Sequence, residues 1–124
     1  MDRAFIVIGA LSGCLAVAAG AFGAHALRAR LAPEMLDVFQ TGVTYEMYHA
    51  LALVGVGILL ARFSTEGSTW LSAAGWLFIV GSILFSGSLY LLALSGTLWA
   101  GAITPIGGVA FLLGWLALAI GVLR

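Results

Sequence analysis

The chain has 124 residues, 63% of them hydrophobic and 8% charged, with no net charge, no Lys and five Arg. Soluble proteins carry about 45–50% apolar and about 25% charged residues, so a water-soluble globule is excluded, and five scattered Arg build no basic surface for nucleic acid. Cys14 is the single cysteine, which excludes an internal disulfide.

The first apolar stretch runs from Ala4 to Leu27, between Arg3 and the pair Arg28 and Arg30. Ala24-His25-Ala26 reads as a signal-peptide cleavage site, and Leu11-Ser12-Gly13-Cys14 as a lipoprotein box that would make Cys14 a lipid anchor. Both require an apolar core of ~7–15 residues, whereas a bilayer crossing needs ~20. The length therefore predicts an uncleaved membrane helix over about residues 4–27, closed by arginines that reach the head groups.

Ala32-Pro33-Glu34 is a helix-start signal, with Pro in the first turn and an acid beside it. From Pro33 to Arg62 a continuous helix would measure ~45 Å against a hydrocarbon core of ~30 Å. The expected solution is a short interfacial helix over 34–41 with Leu36 and Phe39 towards lipid, a bend near Gly42, and a second membrane helix over about 43–62. Residues 62–69 read as a polar loop, and Trp70 marks an interface. From Gly67 to Leu123 no residue is charged, a run of 57 positions with room for two crossings. A third helix is predicted over about 70–95 and a fourth over about 105–123, with Thr104 as its N-cap and Pro105 as its first residue. The fold class is an all-α membrane protein, a single integral membrane domain spanning 1–124 with four transmembrane helices in a compact bundle.

Small residues recur on these segments at steps of three, four or seven: Gly9, Gly13, Ala16 and Gly20; Gly75, Ser82 and Ser86; Ala110, Gly114, Ala117 and Gly121. In lipid, close van der Waals packing and interhelical hydrogen bonds hold helices together, so these stripes are contact seams, either within one bundle or towards a second copy or another membrane protein. With four crossings Arg3, Arg62 and Arg124 share one side and Arg28 and Arg30 the other, which leans towards both termini in the cytoplasm.

Glu46 is the one charged residue inside an expected membrane helix, and His49 follows on the same helical face. Alternating helix directions bring His25, Tyr45, Glu46, Tyr48, His49, Tyr90, Ser95 and Thr104 towards one end. Two readings stand: a structural tie of Glu46 and His49 to neighbouring backbone or to His25, or handling of a ligand or proton. Glu46-x-x-His49 matches half of a di-iron carboxylate motif, but the chain holds no second copy. A haem between His25 and His49 is conceivable, as is a quinone, but no cofactor is called for by the sequence. There is no HExxH, phosphate loop or CxxC, so neither a catalytic nor a metal constellation is predicted.

Gly20-Ala-Phe-Gly-Ala-His25-Ala-Leu, Tyr45-Glu-Met-Tyr-His49-Ala-Leu-Ala-Leu, Leu84-Phe-Ser-Gly-Ser-Leu-Tyr90-Leu-Leu-Ala-Leu-Ser-Gly96, Thr104-Pro-Ile-Gly-Gly108 and Gly114-Trp-Leu-Ala-Leu together resemble the YgdD/YwdK-type family of small four-helix membrane proteins, a domain of unknown function (number 423) with distant mitochondrial relatives. The resemblance implies a bacterial inner-membrane protein in which His25, His49, Tyr90, Pro105 and the Gly107-Gly108 pair are family-typical, and in which Glu46 stands where Gln is common. It implies no activity. The expectation is a non-enzymatic protein that supports membrane integrity or modulates a membrane partner complex. The alternative is a binder or carrier of a small amphiphile, such as a quinone, a lipid or a proton-coupled solute, at the His/Tyr cluster.

Overall fold

A bilayer offers the backbone no hydrogen-bond partner, so spanning segments close their hydrogen bonds within helices. The computed structural model, which describes residues 1–63 and 65–124, follows that rule with four long helices and no strand among the described residues. These are α1 (Asp2–Phe22), α2 (Pro33–Arg62), α3 (Thr65–Ser95) and α4 (Thr104–Leu123). A π-helical turn, Gly23–Leu27, continues α1, and a 3₁₀ turn, Leu98–Ala102, precedes α4. With these turns included, each of the four helices is long and apolar enough to cross a membrane.

Three boundaries differ from the sequence expectation. Residues 34–41 are not set apart by a bend but form the opening turns of α2, which runs for 30 residues through Gly42. The reason is tertiary: Gly42 is buried against Tyr90 of α3, and its carbonyl accepts a 2.7 Å hydrogen bond from Ser86 Oγ. The loop expected over 62–69 is mostly helical, because α3 begins at Thr65 and Gly67 sits directly on the Gly121 carbonyl of α4. Ser64 lies outside the described residues. Thr104 does not cap α4 with its side chain; it is the first helical residue, and its hydroxyl pairs with Ser88 Oγ at 2.5 Å. Gly96 ends α3 with φ of 70°, the left-handed geometry that suits a glycine after a helix C-terminus.

Helices adjacent in sequence pack side by side, α1 on α2, α2 on α3, and α3 on α4. The exterior is apolar and the seams are small. Leu11, Leu15, Leu51, Ile83, Leu112 and Leu116 are all more than 60% exposed, as expected where the surrounding medium is hydrocarbon. Ten of the seventeen glycines are buried, which puts the helix contacts at backbone distance. Gly9 faces the Ala50 carbonyl and Val54, Gly57 faces Asp2 and Ile6, Gly114 takes the ring of Phe78, and Gly121 takes Leu71. One apolar core unites Phe5, Leu53, Val56, Ala74, Phe78, Phe111 and Ala117 from all four helices, and a smaller one joins Leu27, Phe39 and Ala93.

Gly107 and Gly108 separate packing from conformational freedom. A Cβ on Gly107 would meet the Phe85 backbone, with Cα at 2.8 Å, whereas one on Gly108 would come no nearer than 3.9 Å to the Phe85 ring. Backbone cannot yield as a side chain can, so Gly107→Ala is expected to lower bundle stability by about 1–3 kcal/mol and Gly108→Ala to leave it near wild type. Reversible unfolding of each variant in mixed micelles measures the difference.

Candidate functional site

Glu46 is 9% exposed and lies within α2, nine residues from Asp37 and sixteen from Arg62, ~14 Å and ~24 Å along the helix. Two hydroxyls from other helices hold it. Tyr90 of α3 donates to Oε1 at 2.6 Å, and Ser12 of α1 donates to Oε2 at 3.0 Å. Gly42 makes the first bond possible, since the Tyr90 ring lies over it and a Cβ there would stand 2.8 Å from Cε1 of that ring. Phe39, one turn earlier on α2, packs against the same ring, with centroids 5.1 Å apart.

The carboxylate forms part of the floor of a cavity of about 470 Å³ between α1 and α3, with α2 beneath. Ile8, Leu11 and Leu15 of α1 and Ile79 and Ile83 of α3 form the walls, and Ser12, Glu46, His49, Ser82, Ser86 and Tyr90 supply the polar atoms. The exposed side chains of Leu11, Leu15 and Ile83 rim its mouth, so the groove opens sideways towards lipid. At one end α1 closes on α3 through Phe5, whose ring fits over Gly75.

His49 faces the same floor, but its ring is committed elsewhere. Nδ1 lies 2.7 Å from the Tyr45 carbonyl, and Nε2 lies 3.1 Å from the indole nitrogen of Trp115 on α4. A carbonyl can only accept and an indole N–H can only donate, so the ring is the neutral tautomer with hydrogen on Nδ1. Phe111 stacks on the imidazole at 3.5 Å and 8°, and Phe78 packs against it with centroids 5.4 Å apart. The result is a clamp between α2 and α4. A second cavity of about 420 Å³ lies beyond it, lined by Tyr45, His49, Phe85, Pro105, Phe111 and Trp115 among others.

The residues singled out from sequence are thus divided. Glu46 and Tyr90 touch directly, and Tyr45 and His49 are joined through the Tyr45 carbonyl. Glu46 and His49 share a helix face but bond to different partners, Glu46 to Ser12 of α1 and Tyr90 of α3, His49 to the Tyr45 carbonyl of its own helix and Trp115 of α4. The cluster sits well inside the bundle rather than at one end, a consequence of the unbroken α2. His25 is exposed in the π-helical turn, thirteen residues or ~20 Å along α1 from Ser12, away from the cluster around Glu46. Thr104 serves the α3–α4 contact through Ser88. Among the described residues no group of three His, Cys, Asp or Glu could hold a metal ion.

Sequence reasoning missed Ser12 and Trp115 as site residues. Ser12 is the single hydroxyl between Ala4 and Leu27, and Trp115 is a tryptophan placed far from its helix ends. Each is an isolated hydrogen-bond donor at membrane depth, which was the available signal.

Residues 19–108 match a family described as a protein of unknown function, DUF423. The UPF0382 membrane protein YwdK of Bacillus subtilis is 45% identical over 122 residues, 98% of either chain. The chain belongs to this family. The UPF0382 membrane protein SSP2132 of Staphylococcus saprophyticus is 47% identical over 98% of both chains, and the SERP0230 protein of Staphylococcus epidermidis is 45% identical over 98% of this chain and 97% of its own. No solved structure matches the chain. The resemblance read from the sequence motifs is borne out, as is a membrane protein of four apolar helices.

The hydrogen-bond geometry has two checkable consequences. Tyr90→Phe leaves Glu46 Oε1 without its donor and is expected to cost about 1–3 kcal/mol of stability, read by unfolding in mixed micelles. In ¹⁵N spectra His49 should carry its proton on Nδ1, and Trp115→Phe should perturb the Nε2 resonance alone.

Proposed function

We propose that the protein is a non-enzymatic binder of a small amphiphile, which enters the α1–α3 groove from the surrounding lipid with its head group towards Glu46. The observation that carries the reading is the groove itself: apolar walls, a polar floor and a lateral mouth, at a volume within the range of small-molecule sites. Glu46, Ser12 and Tyr90 hold one another by hydrogen bonds, Ser86 donates to the Gly42 carbonyl, and no nucleophile–base pair lines the groove among the described residues, which supports binding over catalysis. A support of membrane integrity or a modulator of a partner complex would need no cavity of this kind, so the geometry favours the binder. The bacterial inner membrane is the proposed location. The three-to-two division of Arg between the two ends supports cytoplasmic termini.

Gly87 offers a direct test. It lines the groove, and a Cβ built on it meets nothing within 4 Å. Gly87→Leu is therefore expected to fill the groove without disturbing the fold. Single-chain lipid probes carrying a photoreactive tail, presented in nanodiscs, should crosslink to Leu11 and Ile83 in the wild type and at least tenfold less in Gly87→Leu. Equal labelling in the two proteins would refute the groove as a binding site and return the function to membrane support.

A further inference from the structure

We propose that the head group taken by this groove is a protonated amine, so that the ligand class is a single-chain cationic amphiphile. The inference rests on the binding role proposed above and adds the chemistry of recognition.

A charged group is most stable at membrane depth beside a partner of opposite charge, because hydroxyl donors offset the loss of its hydration only in part. This chain supplies none among the described residues. The polar groups facing Glu46 are Ser12 from α1, His49 from α2, and Ser82, Ser86 and Tyr90 from α3. His49 spends both ring nitrogens on Tyr45 and Trp115, and Ser86 donates to Gly42. None carries a positive charge in these arrangements. The nearest Arg on α1 is Arg3, nine residues or ~14 Å of helix from Ser12, and α3 and α4 contain no basic residue before Arg124. The one ion pair among the described residues is at the amino terminus, with Asp2.

The carboxylate is also unsaturated as an acceptor. Oε1 and Oε2 each receive one hydrogen bond, and each has a lone pair left for a donor arriving from the groove. A donor bearing a charge satisfies both needs at once, and charge-assisted bonds are about twice as strong as neutral ones. A metal ion is a poor candidate, because the groove offers a single carboxylate where hard cations take six or more oxygen ligands. An alkyl tail suits the walls formed by Ile8, Leu11, Leu15, Ile79 and Ile83. A primary to tertiary ammonium with one chain has both parts.

The test uses the full chain in phosphatidylcholine nanodiscs with tritiated dodecylamine, 1-dodecanol and dodecanoate at matched bilayer mole fractions, read by scintillation proximity. The expected result is binding of the amine at least tenfold tighter than the alcohol and the acid. Glu46→Gln keeps an acceptor for Tyr90 and a partner for Ser12 but removes the carboxylate, and should reduce the preference for amine over alcohol to about twofold. Ser82→Lys supplies the missing cation from within the groove and should abolish the preference without touching Glu46, whereas Ser82→Gln should retain it. Equal affinity for amine and alcohol in the wild type, or a preference that survives both Glu46→Gln and Ser82→Lys, overturns the amine inference and leaves the amphiphile reading standing. Failure of all three probes to bind overturns both.

Discussion

An apolar side chain in a bilayer gains little by choosing a neighbouring helix over an acyl chain, so association depends on how closely two backbones can approach and on hydrogen bonds between them. The bundle follows that constraint at each seam. Gly9 and Gly57 admit α1 to α2, Gly42 admits Tyr90, Gly75 admits Phe5, and Gly107, Gly114 and Gly121 lay α4 along α3. Many large side chains therefore point outward, and the interior combines glycine, alanine and serine with a few leucines, Val56 and rings received by glycines on the facing helix.

The same constraint accounts for the groove. Where a ring meets a glycine, as Phe5 meets Gly75, two helices close. Further along, α1 presents Ser12 and α3 presents Ser82, Ser86 and Gly87, none of which carries enough volume to span the separation. Gly87 has no neighbour within 4 Å of its would-be Cβ. Small residues that are unmatched by a partner ring leave space, and their hydroxyls make that space polar. A packing code written in small residues thus produces both tight seams and one polar recess.

The membrane class and the four helices were legible because hydropathy acts locally along the chain. The unbroken α2 was not, because length against bilayer thickness argued for a bend at Gly42, and only the contacts that Ser86 and Tyr90 make with it from a distant helix show why that glycine stays helical. The same long-range contacts moved the cluster inward and left His25 outside it. Glu46 and Tyr90 were recognisable as chemistry from the cost of placing polar groups in lipid. Their third partner, Ser12, hid in a stretch that read as a lipoprotein box, and Trp115 stood in a resemblance motif with no role assigned to it. Which polar residue meets which depends on helix rotation, and a nearly uniform apolar stretch does not encode rotation by hydropathy alone.

Glu46 and His49 stand three residues apart on one helix, yet the facing helices give them opposite roles. The imidazole has two nitrogens, and α2 and α4 use both, one as donor and one as acceptor, while Phe111 covers a ring face. Nothing remains with which it could engage a ligand without breaking the α2–α4 clamp. The carboxylate has four acceptor positions, and α1 and α3 use two. The residue of higher acceptor capacity therefore keeps its chemistry available at the floor of the groove, and the imidazole is the group that holds the helices together.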